Sequence, residues 1–349
     1  MNILMVGPDY NAKGGMATVM KNFYKYYPEK DCLFFLISWK EEHKLIVFLQ
    51  SFFTIRRLIK NHSIDVVHFH VSEDFGFYRK VFLSLLVNKK VGKIFHFHSA
   101  TFDIFYNRSN RLFKFFIRKS LNNIDQIVAL TDEWRRFYAG ITRTDVCVIH
   151  NAVPRPAENL YKTSATKVVT FGRIGHRKGS FDIVKLAERL ATIPSSNQPI
   201  QFYLFGDGGE EKEKLKGIVK EKRLENVNIE DWLDDYEQLL QESAIHLLPS
   251  YHEGLPLSVL ETMSYGIPNI ASNVGGLSEV IQDGVNGFLI EPGDIVGMQE
   301  IITILLSDSQ LRKDISVKSR QTITENFSLS VYFDKWLKIY EQLGKESLR

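Results

Sequence analysis

The stretch His246 to Ser264, HLLPSYHEGLPLSVLETMS, decides the fold. His246, Leu247 and Leu248 end a buried strand. Pro249 to Gly254 form a polar turn. A helix starts from Leu255 onward, with Pro256 in its first turn, where a missing N–H costs nothing. Such a helix leaves unpaired backbone N–H groups aimed back into the turn, on the positive end of its dipole, a ready site for an anion. Glu253 stands just before the helix and Glu261 about two turns further on. Carboxylates facing a bound phosphate would be repelled by it. They are therefore expected to accept hydrogen bonds from neutral hydroxyls on either side of the phosphate. A sugar nucleotide carries that layout: sugar hydroxyls, pyrophosphate, ribose diol.

Working outward, short apolar runs alternate with helical stripes along the whole chain. Asn2–Val6, Cys32–Ser38, Asp65–Phe69, Lys93–Phe97, Gln126–Leu130 and Val146–Ile149 read as strands. Helices are expected between them, at Met16–Tyr26, Leu45–Lys60, Arg79–Val87, Arg111–Leu121 and Asp132–Tyr138. Asn151–Thr166, with Pro154 and Pro156, reads as a linker. A second series of strands follows: Lys167–Phe171, Gln201–Phe205, Val227–Ile229, Ala244–Leu248, Pro268–Ala271 and Gly287–Leu289. Its helices are Phe181–Thr192, Glu210–Lys222, Tyr236–Glu242, Leu257–Tyr265 and Gly297–Leu306, with an aromatic helix Ser328–Leu343 at the end. Alternating β and α implies parallel sheets covered on both faces. The expected division is 1–160, 161–327 and 328–349.

The 349 residues and 44% hydrophobic content suffice for two cores. Two cysteines, Cys32 and Cys147, make no disulfide framework and point to a reducing compartment. No signal peptide and no membrane-spanning run is read. The net charge of +3 hides an asymmetry. Residues 1–150 hold 22 Lys/Arg against 13 Asp/Glu, and 18 of the 25 phenylalanines. A basic, Phe-rich first half suits an anionic surface, so a membrane is an expected partner and nucleic acid is not.

Gly172 to Gly179, GRIGHRKG, follows a strand and precedes a helix, which sets Arg173 and Lys178 at a strand's C-terminal end, where α/β proteins bind ligands. Two cations on one loop suit a pyrophosphate. His176 and Arg177 between them are expected to face solvent. Gly14 and Gly15 open the first helix, where backbone must approach something closely. His68, His70, His96 and His98 form two H-x-H pairs on neighbouring strands, each pair on one face. No carboxylate or cysteine completes a ligand set at sensible spacing, so no metal is expected. His68 and His96 read as core histidines.

Glu253 to Glu261, EGLPLSVLE, with the continuation Ser264 to Leu289, SYGIPNIASNVGGLSEVIQDGVNGFL, resembles the E-x7-E region of retaining glycosyltransferases of family four, which have the GT-B fold. Ser264 and Tyr265 replace that family's commoner small pair. The resemblance implies two Rossmann-like domains whose parallel sheets face each other across a cleft, and a last helix that crosses back to the first domain. It implies that Glu253, His98, Arg173 and Lys178 serve catalysis. Donor contacts would come from Gly15, Arg173, Lys178, Gly206 and Asp207, from Trp232 and Leu233 at the base, and from Glu253, Gly254, Leu255, Pro256 and Glu261. Trp232 departs from the family's usual glycine. Gly14, His70 and Asp103 would border the acceptor, with Asp132 a looser candidate.

The expected activity is retaining, metal-independent transfer of a sugar from a nucleoside diphosphate, UDP foremost, to a saccharide acceptor linked to lipid. The implied setting is capsule, lipopolysaccharide or related polysaccharide assembly in a bacterial cytoplasm, on the inner face of the membrane. No cofactor is expected beyond the nucleotide sugar itself. Two other readings stay open: a nucleotide-sugar epimerase of the same fold, and a non-catalytic nucleotide-sugar-binding subunit.

Overall fold

The structure is a computed structural model that describes residues 1–40, 43–191, 200–233 and 237–346. Thr192 and Tyr236, expected as helix ends, lie outside the described residues. The chain divides into two compact units, Met1–Ala152 with Leu329–Arg349, and Val153–Ser328.

In the first unit the strands are Ile3–Pro8 (β1), Leu33–Trp39 (β2), Val66–Val71 (β3), Gly92–Phe97 (β4), Gln126–Ala129 (β5) and Val146–Val148 (β6). They form one six-stranded sheet in the order β2-β1-β3-β4-β5-β6, with parallel pairing throughout. Every residue of β1 and β3 is buried. Both faces of the sheet are covered, so these strands read as continuous runs without a polar alternation.

Each face has its own filling. Phe69, Val71, Phe95 and Phe97 join a core with Ile55, Phe77, Ile117 and Leu121, which come from helices Lys44–Asn61, Asp74–Ser84 and Arg111–Leu121. On the other side the rings of His68 and Trp336 lie 4.3 Å apart and those of Phe23 and Trp336 5.9 Å. Phe23 belongs to helix Gly15–Tyr26 and Trp336 to helix Leu329–Glu346.

In the second unit the strands are Lys167–Phe171 (β7), Phe202–Phe205 (β8), Val227–Glu230 (β9), Ser243–Leu248 (β10), Asn269–Ser272 (β11) and Phe288–Ile290 (β12). Their order is β12-β11-β10-β7-β8-β9, again parallel. The order reverses between β10 and β7, which makes that pair the topological switch point.

Several expectations need correction. The stretch read as a linker is a belt fastened to the second unit. Arg320 donates to the Pro156 carbonyl at 3.1 Å and to that of Ser264 at 2.6 Å. Arg312 donates to the Thr163 carbonyl at 2.6 Å, and Tyr161 Oη to that of Ala244 at 3.1 Å. The helix expected at Arg79–Val87 is Asp74–Ser84, and β3 runs on to Val71, so His70 lies within the strand. Helices Phe102–Arg108 and Ser309–Asn326 were not foreseen. The helix of the opening stretch begins at Leu257, with Leu255 and Pro256 still outside it; Pro256 has the extended backbone of a cap residue.

Candidate functional site

The switch point of the second sheet places two loops side by side: the one after β7, which carries GRIGHRKG, and the one after β10, which carries PSYHEGLP. In such sheets ligands bind outside the carboxyl ends of the strands at that point. Here the two loops are joined by an ion pair, Lys178 Nζ to Glu253 Oε1 at 2.6 Å. The side chains are only 16% and 5% exposed, so the pair is shielded from water. Backbone also connects the loops. Tyr251 N–H donates to the Arg177 carbonyl at 2.8 Å, and Arg177 Nη1 to the His252 carbonyl at 2.9 Å.

Two glycines permit this approach. Gly179 has φ +69°, and a Cβ there would lie 2.0 Å from the Pro249 carbonyl oxygen. Gly275 has φ +56°, and a Cβ would lie 2.1 Å from the Glu253 carbonyl oxygen. Both positions combine a left-handed backbone with contact against main chain, which leaves no room for another residue. Gly276 N–H also donates to the Gly254 carbonyl at 2.9 Å, holding the turn ahead of helix Leu257–Ser264. That helix has no side-chain cap, so its first amides point into the turn unclaimed by a capping group.

The neighbouring loops close on the same edge. Ile174 N–H donates to the Asp207 carbonyl at 2.7 Å, which ties GRIG to the FGDGG turn after β8. Lys212 is buried and donates to the Gly206 carbonyl at 2.8 Å, the Glu230 carbonyl at 2.7 Å and Asp231 Oδ1 at 2.6 Å. It thereby fixes the FGDGG turn against the turn that holds half-buried Trp232 and Leu233. Glu261 is half-buried on the helix, and Asp207 and Arg173 are exposed at the loop surfaces. His176 and Arg177 are exposed, as expected; the His176 ring also stacks on Phe181 at 3.8 Å, and Arg177 is engaged as described.

His246 is buried on β10, whose following loop carries Glu253. Burial pushes its imidazole down to about 4, although the hydrogen bond to Asn269 opposes this. Its Nδ1 meets Asn269 Oδ1 at 2.6 Å. Its Nε2 is buried without a hydrogen-bond partner among the described residues, as are the hydroxyls of Ser250 and Ser272. The sequence reading missed His246 and Lys212 as members of this site. A signal existed for each: His246 is polar within an apolar strand, and Lys212 shares a helix stripe with Leu215 and Val219.

The first unit has a separate cluster at the C-terminal ends of β3 and β4. His70 Nδ1 and His98 Nε2 are 2.9 Å apart, and Thr101 Oγ1 reaches Glu73 Oε1 at 3.4 Å. Half-buried Asp103 stands one residue into helix Phe102–Arg108. Gly14, with φ +115°, caps helix Gly15–Tyr26, whose first turn likewise lacks a side-chain cap. Asp132 is paired with Arg135 at 2.7 Å on its own helix.

Deeper in the sheet, His68 Nδ1 meets Tyr340 Oη at 2.7 Å and His68 Nε2 meets His96 Nδ1 at 3.2 Å. His68, His70 and His96 are close enough to be weighed as a metal site. Both nitrogens of His68 are engaged in hydrogen bonds, whereas Nε2 of His70 and of His96 is buried without a partner among the described residues. Burial holds all three imidazoles well below their ordinary range, and His98 down to about 3.

The second unit is thus an α/β module in which a cationic loop and a helix start without a side-chain cap meet at the switch point of the sheet. Comparison with known proteins covers residues 35–322 with two family models. Residues 155–322 match the model of glycosyl transferases group 1, and residues 35–155 that of glycosyltransferase family 4. The chain belongs to this group of GT-B glycosyltransferases.

Among its relatives is a poly(ribitol-phosphate) α-N-acetylglucosaminyltransferase of Staphylococcus aureus, 25% identical, with 82% of this chain and 57% of that protein aligned. Another is the UDP-Gal:α-D-GlcNAc-diphosphoundecaprenol α-1,3-galactosyltransferase of Escherichia coli, 24% identical over 88% of this chain and 83% of that one. The chain spans only 61% and 57% of the length of two of the relatives it matches. Among solved structures, Anabaena Alr3699/HepE in complex with UDP shares the fold, with a TM-score of 0.78, 17% identity, and 98% and 100% of the two chains covered.

Proposed function

We propose that the chain is a retaining glycosyltransferase that moves a sugar from a nucleoside diphosphate sugar, with UDP as the nucleotide, to a hydroxyl of a lipid-linked saccharide during assembly of a bacterial surface polysaccharide. The observation that carries this reading is the meeting of Lys178, Glu253 and the start of helix Leu257–Ser264 at the switch point of the second sheet. The names of two relatives support it: both describe α-linked transfer of a sugar, one of them from UDP-Gal to a diphosphoundecaprenol-linked acceptor.

On this reading Arg173, Lys178 and the amides after Glu253 hold the diphosphate, and Glu261 takes the ribose diol. Glu253, fixed by Lys178, accepts from the hydroxyls of the sugar. Trp232, Leu233, Gly206 and Asp207 border the base. His98 of the first unit reaches the reacting sugar, and Gly14, His70 and Asp103 serve the acceptor. The bond from the anomeric carbon to the β-phosphate oxygen breaks while the acceptor oxygen attacks from the same face. The acceptor's proton passes to the departing phosphate oxygen, whose charge the two cations stabilise. These cations take the role a divalent metal plays in other transferases, so the reaction proceeds in EDTA.

The test is to incubate the purified protein with UDP-sugars and a saccharide on a short prenyl diphosphate, following UDP release and the anomeric configuration by NMR. Acceptor-dependent release with an α-product from an α-donor is expected, unchanged by EDTA. A β-product would overturn retention. Conversion of the donor without acceptor would identify an epimerase, and nucleotide binding without turnover a binding subunit.

A further inference from the structure

Three helices that cover one face of the first sheet share a feature that the proposed transfer reaction does not use. Lys44–Asn61, Asp74–Ser84 and Arg111–Leu121 bury one stripe against the sheet and present a second apolar stripe outward. Phe53 is 77% exposed, Phe75 82%, Leu112 74% and Phe115 63%. Leu112 and Phe115 are one helical turn apart, and Leu45, Leu49 and Phe53 recur at every fourth position, so each set lines one side of its helix. The five most exposed phenylalanines of the described residues all fall on these three helices.

The helices are neighbours. Tyr78 stands 6.2 Å from Phe113 and 6.0 Å from Phe116, ring to ring. Arg56 Nε donates at 3.4 Å to the carbonyl of Leu86, just beyond the second helix. The outward stripes therefore belong to one surface.

Its charge is one-sided. Lys44–Asn61 and Arg111–Leu121 contain no acidic residue. The one carboxylate on the middle helix, Asp74, is paired with Arg108. Arg56, Arg57 and Lys60 close the first helix, and Arg111, Arg118 and Lys119 flank Leu112 and Phe115.

We propose that this three-helix face docks the enzyme on an anionic lipid bilayer. Phenylalanine and leucine side chains enter the boundary between headgroups and acyl chains while the lysine and arginine heads stay with the lipid phosphates. The cationic rim, whose one carboxylate is paired with Arg108, favours a lipid surface over a second copy of the same face, which would set like charges against each other. The inference extends the reading of a lipid-linked acceptor by naming the surface that brings the chain to it.

The experiment is co-sedimentation of the full chain with vesicles of phosphatidylcholine alone or with about one third phosphatidylglycerol. These vesicles carry no saccharide, so the result is independent of whether transfer occurs. We expect binding to the anionic vesicles only, weakened at least tenfold by 0.5 M salt, by the pair Leu112→Ser and Phe115→Ser, and by the pair Arg111→Gln and Lys119→Gln. Both variant pairs change exposed positions and should keep wild-type UDP affinity, which separates lost docking from lost folding. Absence of binding, equal binding to neutral vesicles, or binding indifferent to both pairs overturns the proposal. So does a concentration-dependent dimer that the Leu112 and Phe115 pair abolishes.

Discussion

Lys178 and Glu253 form the pair on which the candidate site turns, and the burial of that pair sets what each contributes. A carboxylate 5% exposed has left most of its hydration behind, and one ammonium compensates it at 2.6 Å. Removing the cation alone leaves a buried charge without a partner, which costs on the order of 3 kcal/mol or more. Glu253→Gln should be milder, because the amide oxygen still accepts from Lys178 Nζ. We expect Lys178→Met to lower stability by about 3 kcal/mol, Glu253→Gln by about 1 kcal/mol, and the double variant to recover part of the larger loss. Urea unfolding of the four proteins checks this, and strictly additive losses would show that the pair does not interact. Both residues were legible in the sequence because each sits in a glycine-bounded turn at a fixed offset from a strand. Their direct contact was not legible, since they are 75 positions apart and strand order alone brings them together. The triple anchor of Lys212 was hidden for the same reason.

At the scale of elements, the strands were readable and helix Ser309–Asn326 was not. An apolar run buried on both faces announces itself, as in β1, β3 and β10. Helix Ser309–Asn326 does not, because its buried side includes Ser316, Ser319, Arg312 and Arg320 beside Ile315 and Ile323. Small hydroxyl side chains let it pack close, and its arginines reach the belt, so no apolar stripe marks it. Helix Asp74–Ser84 was displaced in the reading because Glu73, Asp74 and Gly76 look like loop. The loops of the site depend on close backbone approach between elements, and Gly179 tests that dependence. Gly179→Ala adds a Cβ at positive φ against the Pro249 carbonyl. It should cost about 2 kcal/mol or more in unfolding free energy and weaken UDP binding measured by calorimetry, because the loops after β7 and β10 must separate. A variant with native stability and native affinity would show that the two loops do not need this contact.

At the scale of the molecule, the two α/β units and the excess of positive charge in the first half were legible from the order of elements and from composition. The concentration of buried ionisable groups in the first unit was not, because it arises only when the last helix packs beside the sheet and Tyr340 meets His68. That arrangement sets an acid limit on stability. Burial, reinforced by the neighbouring imidazoles and for His70 by Lys80, holds His68, His70 and His96 well below 6.5. Burial alone holds His98 down to about 3. Lys80 is itself pushed down to about 7 by burial. In the native state the four imidazoles stay neutral, whereas in the unfolded chain they take up protons as the pH falls through about 6.5. Unfolding then binds protons, so stability is retained above that pH and lost below it. Each imidazole contributes a slope of about 1.4 kcal/mol per pH unit once its unfolded form is fully protonated, and four together roughly 5 kcal/mol per unit. Urea unfolding at pH 7.5, 6.5 and 5.5 should show a loss of about 2 kcal/mol over the first step, to which Lys80 adds because its unfolded amine is already protonated, and about 4 kcal/mol over the second. His96→Asn, which keeps a polar atom near the position of Nδ1, should shrink the second step by about 1 kcal/mol. Equal stability at pH 7.5 and 5.5 would mean that these histidines are already charged, or reach water, in the folded protein.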